Sequence, residues 1–165
     1  MRGFTAFSEG VAADVAAARL DELLACFIEA VHAEGGTINK LIGDGAMAVF
    51  GAPMPHCDPV GAAARAALRS RDSVERLGGG LRFGYGINAG LVAAGRLGGS
   101  GSAEYGVIGA AVNVAARLEE AAGPGQILVG AGAEPALGER FALGRRGSLS
   151  LDGIRAPVDA VELIS

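Results

Sequence analysis

The 165-residue sequence has no apolar run long enough to cross a bilayer; the stretch from Val11 to Ala18 is interrupted by Asp14. No membrane contact is expected from it. The first residues lack a basic-then-apolar order, so a secretory signal is not expected either. Positive charge is scarce as well. Lys and Arg total 14 against 18 Asp and Glu, the net charge is −4, and no basic stripe is present, which argues against nucleic acid as a partner. Cysteine is limited to Cys26 and Cys57, without metal-like spacing. Each reads as a buried or idle thiol, and a reducing, cytoplasmic setting is expected. The glycine stretches "GYGINAG" and "GGSG" are too loose for a dinucleotide signature, and no G-x-x-x-x-G-K-[ST] occurs. Neither an internal repeat nor a domain-splitting linker is found, so residues 1–165 are expected to form one domain.

What is present is ordinary globular composition, 50% hydrophobic and 19% charged, with an unusual 28 glycines that call for positional reasons. At the start, "MRGFTAFSEG" reads as a tight turn at Gly3 running into a helix, with Thr5 as the expected N-cap. Val15, Leu20, Leu23, Leu24, Phe27, Ile28 and Val31 recur near the helical period, predicting one helix from Thr5 to His32, stopped at Gly35-Gly36. "TINKLIGDGAMAVFG" predicts two short strands around a turn at Gly43-Asp44-Gly45. Pro53, Pro55 and Pro59 form a connection before an alanine-rich helix from Val60 to Leu77. "LRFGYGINAGLVAAGRLG" alternates as two strands, followed by a flexible tip, "GSGSAE". "YGVIG" leads into a helix from Ala111 to Ala121, ended by Gly123-Pro124. "QILVG", "RFALG" and "APVDAVELI" read as short strands. The order belongs to an α+β or α/β sandwich. A strand before residue 1 would make the first half close to a ferredoxin-like core, with that strand in the middle of the sheet.

Several polar residues stand out, each with two readings. Asp44 sits at a hairpin tip between two glycines, where it could hold a hard cation or serve only the turn geometry. Lys40, four residues earlier, is either a binding group or a solvated strand lysine. Asn113 and Arg117 in "NVAAR" share one helical face by i,i+4 spacing, which suits a sugar-and-phosphate clamp or simply a polar face.

Taken in order, "RGFTAFSE", "GGTINKLIGDGAMAVFGAP", "YGVIGAAVNVAARLEEAAGPGQILV" and "LDGIRAPVDAVEL" resemble the class III nucleotidyl cyclase catalytic domain, of adenylyl or guanylyl type. The likeness covers essentially the whole chain. It implies an α+β, ferredoxin-like cyclase fold with a central, mostly antiparallel sheet flanked by helices. It also implies attack of a ribose 3′-hydroxyl on the α-phosphate of a nucleoside triphosphate, releasing pyrophosphate, with two divalent ions (Mg or Mn). Asp44 matches the second metal-binding aspartate. Lys40 matches the purine-reading lysine, which favours adenine and therefore ATP. Asn113 matches the ribose-orienting asparagine, and Arg117 the arginine that stabilises charge on the transferring phosphate. Gly3, Phe4 and Thr5 fall in the loop that cradles phosphates. In the family the metal aspartates and the purine, ribose and arginine contacts come from different chains, which implies a homodimer with two equivalent sites.

The resemblance also marks departures. The first metal aspartate falls one residue before Met1, with its strand before that, so a truncated fragment or a misplaced start is expected. Gly106 stands at the second purine-reading position, usually Asp or Thr. Ala110 stands where an aspartate is usual. Asp152 precedes Gly153 where a phosphate-binding lysine ahead of the glycine is common, and Arg155, Arg145 or Arg146 could substitute for it. Two functions follow: an adenylate cyclase in signal transduction, regulated by domains outside this chain, or a catalytically idle cyclase-like module that binds nucleotide or pairs with another cyclase chain.

Overall fold

The computed structural model describes residues 1–97, 104–150, 152–154 and 156–165. The expected tip at 99–104 lies almost wholly outside them, as does Arg155. The chain opens with two helices rather than one, α1 (Phe4–Glu9) and α2 (Ala13–Ala33). Gly10 ends the first, its N–H bonding the Phe7 carbonyl at 3.0 Å. Thr5 lies inside α1 and not at its cap. That place is taken by Gly3 at φ +82°, a left-handed backbone that favours glycine. Val15, counted with the apolar face of the helix, is 50% exposed, while Leu23, Leu24 and Val31 are buried.

Next come β1 (Thr37–Ile42) and β2 (Gly45–Val49), an antiparallel hairpin around the expected Gly43-Asp44 turn. Helix α3 (Pro59–Leu77) begins with proline in its first turn and is capped by the Asp58 side chain, which accepts from the Gly61 N–H at 3.2 Å. Strand β3 (Tyr85–Ile87) precedes a second antiparallel hairpin, β4 (Ala93–Leu97) with β5 (Glu104–Ile108). Helix α4 (Ala110–Ala121) starts one residue earlier than expected. Strand β6 (Ile127–Gly130) is followed by a helical turn not anticipated from sequence, α5 (Glu134–Leu137) with a 3₁₀ turn at Gly138–Arg140. Strands β7 (Leu143–Leu149) and β8 (Val158–Leu163) close the chain.

The described strands form three groups: the β1–β2 hairpin, the β4–β5 hairpin, and a four-stranded sheet ordered β3-β6-β8-β7. In that sheet β3 and β6 are parallel and the other pairs antiparallel. Period-two alternation sorts its side chains. Tyr85, Ile87, Ile127, Val129, Val161 and Leu163 face one way and pack with Leu23, Leu24, Ala64 and Val74 of α2 and α3. Leu128 and Ala160 face the other way, against Leu118 of α4. Helix α4 comes close because the sheet offers glycines beneath it. A Cβ on Gly86 would run into the Ala115 carbonyl and the Glu119 amide, and one on Gly130 would lie 3.0 Å from Leu118 Cδ1. The molecule is an α+β sandwich with helices on both faces of the sheet.

Candidate active site

The hairpin carries two of the candidate residues. The turn glycine Gly43, at φ +56°, has nothing near the place of a Cβ, so the tip projects into open space. Half-buried Asp44 meets the start of the chain: the Met1 amino group lies 3.0 Å from its Oδ2 and 3.4 Å from its backbone carbonyl. Residue 1 and the Asp44 carboxylate are therefore neighbours, and Gly3, Phe4 and Thr5 follow directly. Lys40 is exposed, and its ammonium has no partner among the described residues. Beside it, Asn39 donates from Nδ2 to the Tyr105 carbonyl at 3.0 Å, which joins β1 to β5. Asn39 Oδ1 is buried without a partner among the described residues. This link ties β1, which carries Lys40, to β5, which carries Gly106, the two positions matched to purine reading. Gly106 is buried and paired with Gly95 of β4. It brings no side chain to a ligand.

Helix α4 carries the other two. Asn113 is exposed, has no partner among the described residues, and lines an open groove of about 450 Å³ with Val107, Ile108, Gly109, Ala110 and Val112. One turn further on, Arg117 is held by its neighbour: Nη1 donates to Glu120 Oε2 at 2.6 Å. That bond and the Glu120 charge, with a smaller contribution from Asp152, push the guanidinium's pKa up. The Asp152-Gly153 turn abuts the same guanidinium, since a Cβ on Gly153 would lie 3.8 Å from Arg117 Nη2. Arg145, offered as a substitute phosphate ligand, is exposed on β7. Among the described residues no hydrogen bond or ion pair joins the hairpin pair directly to the helix pair.

A residue outside the expected set bridges the two regions. Arg2 donates from Nε to the Ala122 carbonyl at 2.9 Å, donates to the Glu119 carbonyl, and pairs with the Glu119 carboxylate at 3.1 Å. Its own N–H donates to the Arg82 carbonyl at 2.7 Å. Arg2 thus adds donors to carbonyls at the C-terminus of α4 and places a cation at the negative end of its dipole. Gly84 leaves room for it, because a Cβ there would lie 2.7 Å from Arg2 Nη2. Sequence separation of about 120 residues hides this contact from local reading. Glu120 was also overlooked, though its i,i+3 spacing from Arg117 is legible.

The acidic residues were tested as a metal centre. Among the described residues no group of three or more His, Cys, Asp or Glu could hold an ion. Asp44 offers one carboxylate where divalent cations take several oxygen ligands. It fits as a single ligand; the described residues do not make a complete centre. No described helix is long and apolar enough to cross a membrane.

Comparison with known proteins agrees with this layout. The family model described as "Adenylate and Guanylate cyclase catalytic domain" matches residues 1–163. The solved structure of the adenylyl cyclase CyaB from P. aeruginosa superposes with a TM-score of 0.90 at 27% identity, covering 99% of this chain and 89% of that one. That of the guanylyl cyclase Cya2 superposes with a TM-score of 0.81 at 30% identity, covering 99% and 87%. An uncharacterised Mycobacterium tuberculosis protein is 37% identical over 145 residues, 84% of this chain and 26% of that relative. A second from the same species is 39% identical over 103 residues, 62% of this chain and 19% of that relative. The chain thus spans 19–26% of the length of these curated relatives. Domains of this class generally use divalent metal ions and nucleotide substrates. The chain belongs to the adenylate and guanylate cyclase catalytic domain family.

Proposed function

We propose that residues 1–165 act as one adenylate cyclase catalytic domain, converting ATP to 3′,5′-cyclic AMP and pyrophosphate at the interface of a homodimer. The observation that carries the choice of ATP is the exposed ammonium of Lys40, without a partner among the described residues, on the strand tied to the one that carries Gly106. Adenine presents an acceptor at N1, which suits a lone donor. Guanine presents donors at N1 and its 2-amino group, and position 106 supplies no acceptor for them. Asn113 orients the ribose so that its 3′-hydroxyl faces the α-phosphorus. Arg117 stabilises the charge that develops on the transferring phosphate. Gly3, Phe4 and Thr5 flank the phosphates. Asp44 supplies one carboxylate to a divalent ion, Mg or Mn, which serves to activate the hydroxyl and neutralise the leaving group.

Separation of the parts supports the homodimer. Asp44 and the Gly3–Thr5 segment share one corner, while Asn113 lines a groove on α4 with Arg117 one turn further on, and two chains would complete two equivalent sites. Domains outside residues 1–165 fit the greater length of the relatives and would carry regulatory input to this signalling enzyme. Its substrate and its unpaired cysteines suit the cytoplasm.

One observation favours a second reading, an idle nucleotide-binding or dimerisation module: Asp152 stands against Arg117, where it opposes triphosphate. One experiment separates the two. Cyclic AMP formation with Mn²⁺ is measured for the 165-residue chain and for a chain extended upstream by an apolar strand that ends in Asp plus one residue. The enzyme reading expects little turnover from the first and clear turnover from the second, because the added carboxylate would join Asp44. ATP binding without turnover in both would replace it with the idle module.

A further inference from the structure

Arg117 differs from Asn113 in one respect: its hydrogen-bonding edge is already taken. Nη1 lies 2.6 Å from Glu120 Oε2, and the Asp152-Gly153 turn borders Nη2. We propose that Glu120 and Asp152 act as a built-in competitor for phosphate at Arg117, so that the chain's nucleotide affinity is depressed more for each phosphate the ligand carries. The inference rests on the functional reading above, in which Arg117 meets the phosphates.

A guanidinium binds phosphate best through two parallel N–H groups. Here one edge must first give up a carboxylate, and the incoming oxyanion then faces the Glu120 charge and, beside it, the weaker field of Asp152. Like charges at that range oppose one another most where water is displaced by a ligand. The Arg117–Glu120 pair is half in solvent, at 37% and 55% side-chain exposure, so as a stabilising salt bridge it contributes little. Glu120 and Asp152 are specificity-determining residues in this sense: they set how much anionic charge the groove beside Asn113 accepts. A site of this kind also releases pyrophosphate, the more highly charged product, more readily than the cyclic monophosphate.

The test measures dissociation constants of adenosine, AMP, ADP and ATP for the full chain and for Glu120→Gln, Asp152→Asn and the double variant. The expected gain is negligible for adenosine and rises with phosphate number, reaching about tenfold for ATP in the double variant and shrinking in high salt. Gln keeps the hydrogen bond to Arg117, and residue 152 is exposed, so melting temperatures should stay within about 2 °C of the parent. Should Glu120→Gln melt lower, Asp152→Asn alone carries the comparison. A gain equal for all four ligands, no gain, or a loss for ATP overturns the inference. Adenosine binding without a phosphate-dependent gain removes this inference and leaves the nucleotide site standing. Absence of binding by all four ligands to every variant removes the nucleotide site itself, and this inference with it.

Discussion

The β1–β2 hairpin, with Asp44 at its tip, and helix α4, with Asn113 and Arg117, carry the two halves of the proposed site, Lys40 counting with the α4 half, and the fold holds them in opposite ways. Helix α4 is seated. Leu118 is fully buried, Gly86 and Gly130 let the helix backbone approach the sheet, and Arg2 fastens its C-terminal carbonyls. The hairpin is hung. From Lys40 to Ile42 its first strand is exposed, its turn stands in open space, and the prominent polar ties are Asn39 to Tyr105 and residue 1 to Asp44. Substitutions in the hairpin should therefore change chemistry with little effect on stability. Substitutions under α4 should change both.

The sharpest way to break this comparison is to disable each half separately. In the chain extended upstream by a strand ending in Asp plus one residue, Asp44→Ala and Arg117→Ala should each lower cyclic AMP formation by about a hundredfold to a thousandfold, the scale for losing one charge-stabilising group. Both should leave the melting curve almost unchanged. If the halves belong to different chains of a dimer, mixing the two variants restores activity. Random pairing makes about half the dimers mixed, each with one intact site of two, so roughly a quarter of the parent activity returns. No recovery in samples shown to exchange subunits would place both halves in one chain and end the interfacial assignment.

Packing beneath α4 supplies the next largest effect. Gly86→Ala puts a methyl group against the backbone of Ala115 and Glu119, neither of which can swing aside. We expect a loss of about 3 kcal/mol of unfolding free energy, the upper end for overpacking, with activity falling in parallel. Denaturant melts would check it. A variant as stable as the parent would mean that α4 is free to lift from the sheet, and the contrast with the hairpin would disappear.

Much of this contrast was legible in the sequence. The Asp-Gly turn dictates the hairpin, and the helical period dictates the buried face from Leu20 to Val31. Asn113 and Arg117 declare a shared face through their spacing alone. What stayed hidden depends on distant partners or on local competition. Gly10 breaks the first helix because the apolar period resumes beyond it, and periodicity cannot register a one-turn interruption. Gly3 displaces Thr5 as the cap because its left-handed backbone starts the helix one residue earlier. The turn at Glu134–Leu137 is too short to show a period. Arg2, read only as part of a motif, owes its role to α4 carbonyls far along the chain.

A smaller effect sharpens the chemical side of the hairpin. Replacing Lys40 with Glu exchanges a donor for an acceptor at the position matched to the purine. One buried polar contact is worth about 1–3 kcal/mol, or roughly tenfold to a hundredfold in discrimination. The ATP:GTP ratio of kcat/KM should therefore fall toward unity or invert, with stability unchanged because Lys40 is exposed. An unaltered ratio would show that Lys40 does not face the base.

The smallest expected effect concerns a third kind of attachment, made by charge and remote from both halves. Asp58 caps α3 and receives Arg140 at 2.7 and 3.1 Å and Arg65 at 3.2 Å, so it ties the α5 turn to α3. The hydrogen bond from Arg140, then that from Arg65, holds its carboxyl well below the usual carboxylate range. Because the folded value is depressed, the stabilisation is fully present above the unfolded value of about 3.9 and is lost as pH falls below it. Asp58→Asn retains an acceptor for the Gly61 N–H while removing the charge. The variant should melt a few degrees lower than the parent at pH 7, with much of the difference screened because the arginines are solvated. The two curves should converge as pH drops through about 4 toward 2, the parent losing what the variant never had. Parallel curves across that interval would mean that Asp58 contributes through its cap alone, leaving α5 held by the burial of Leu137.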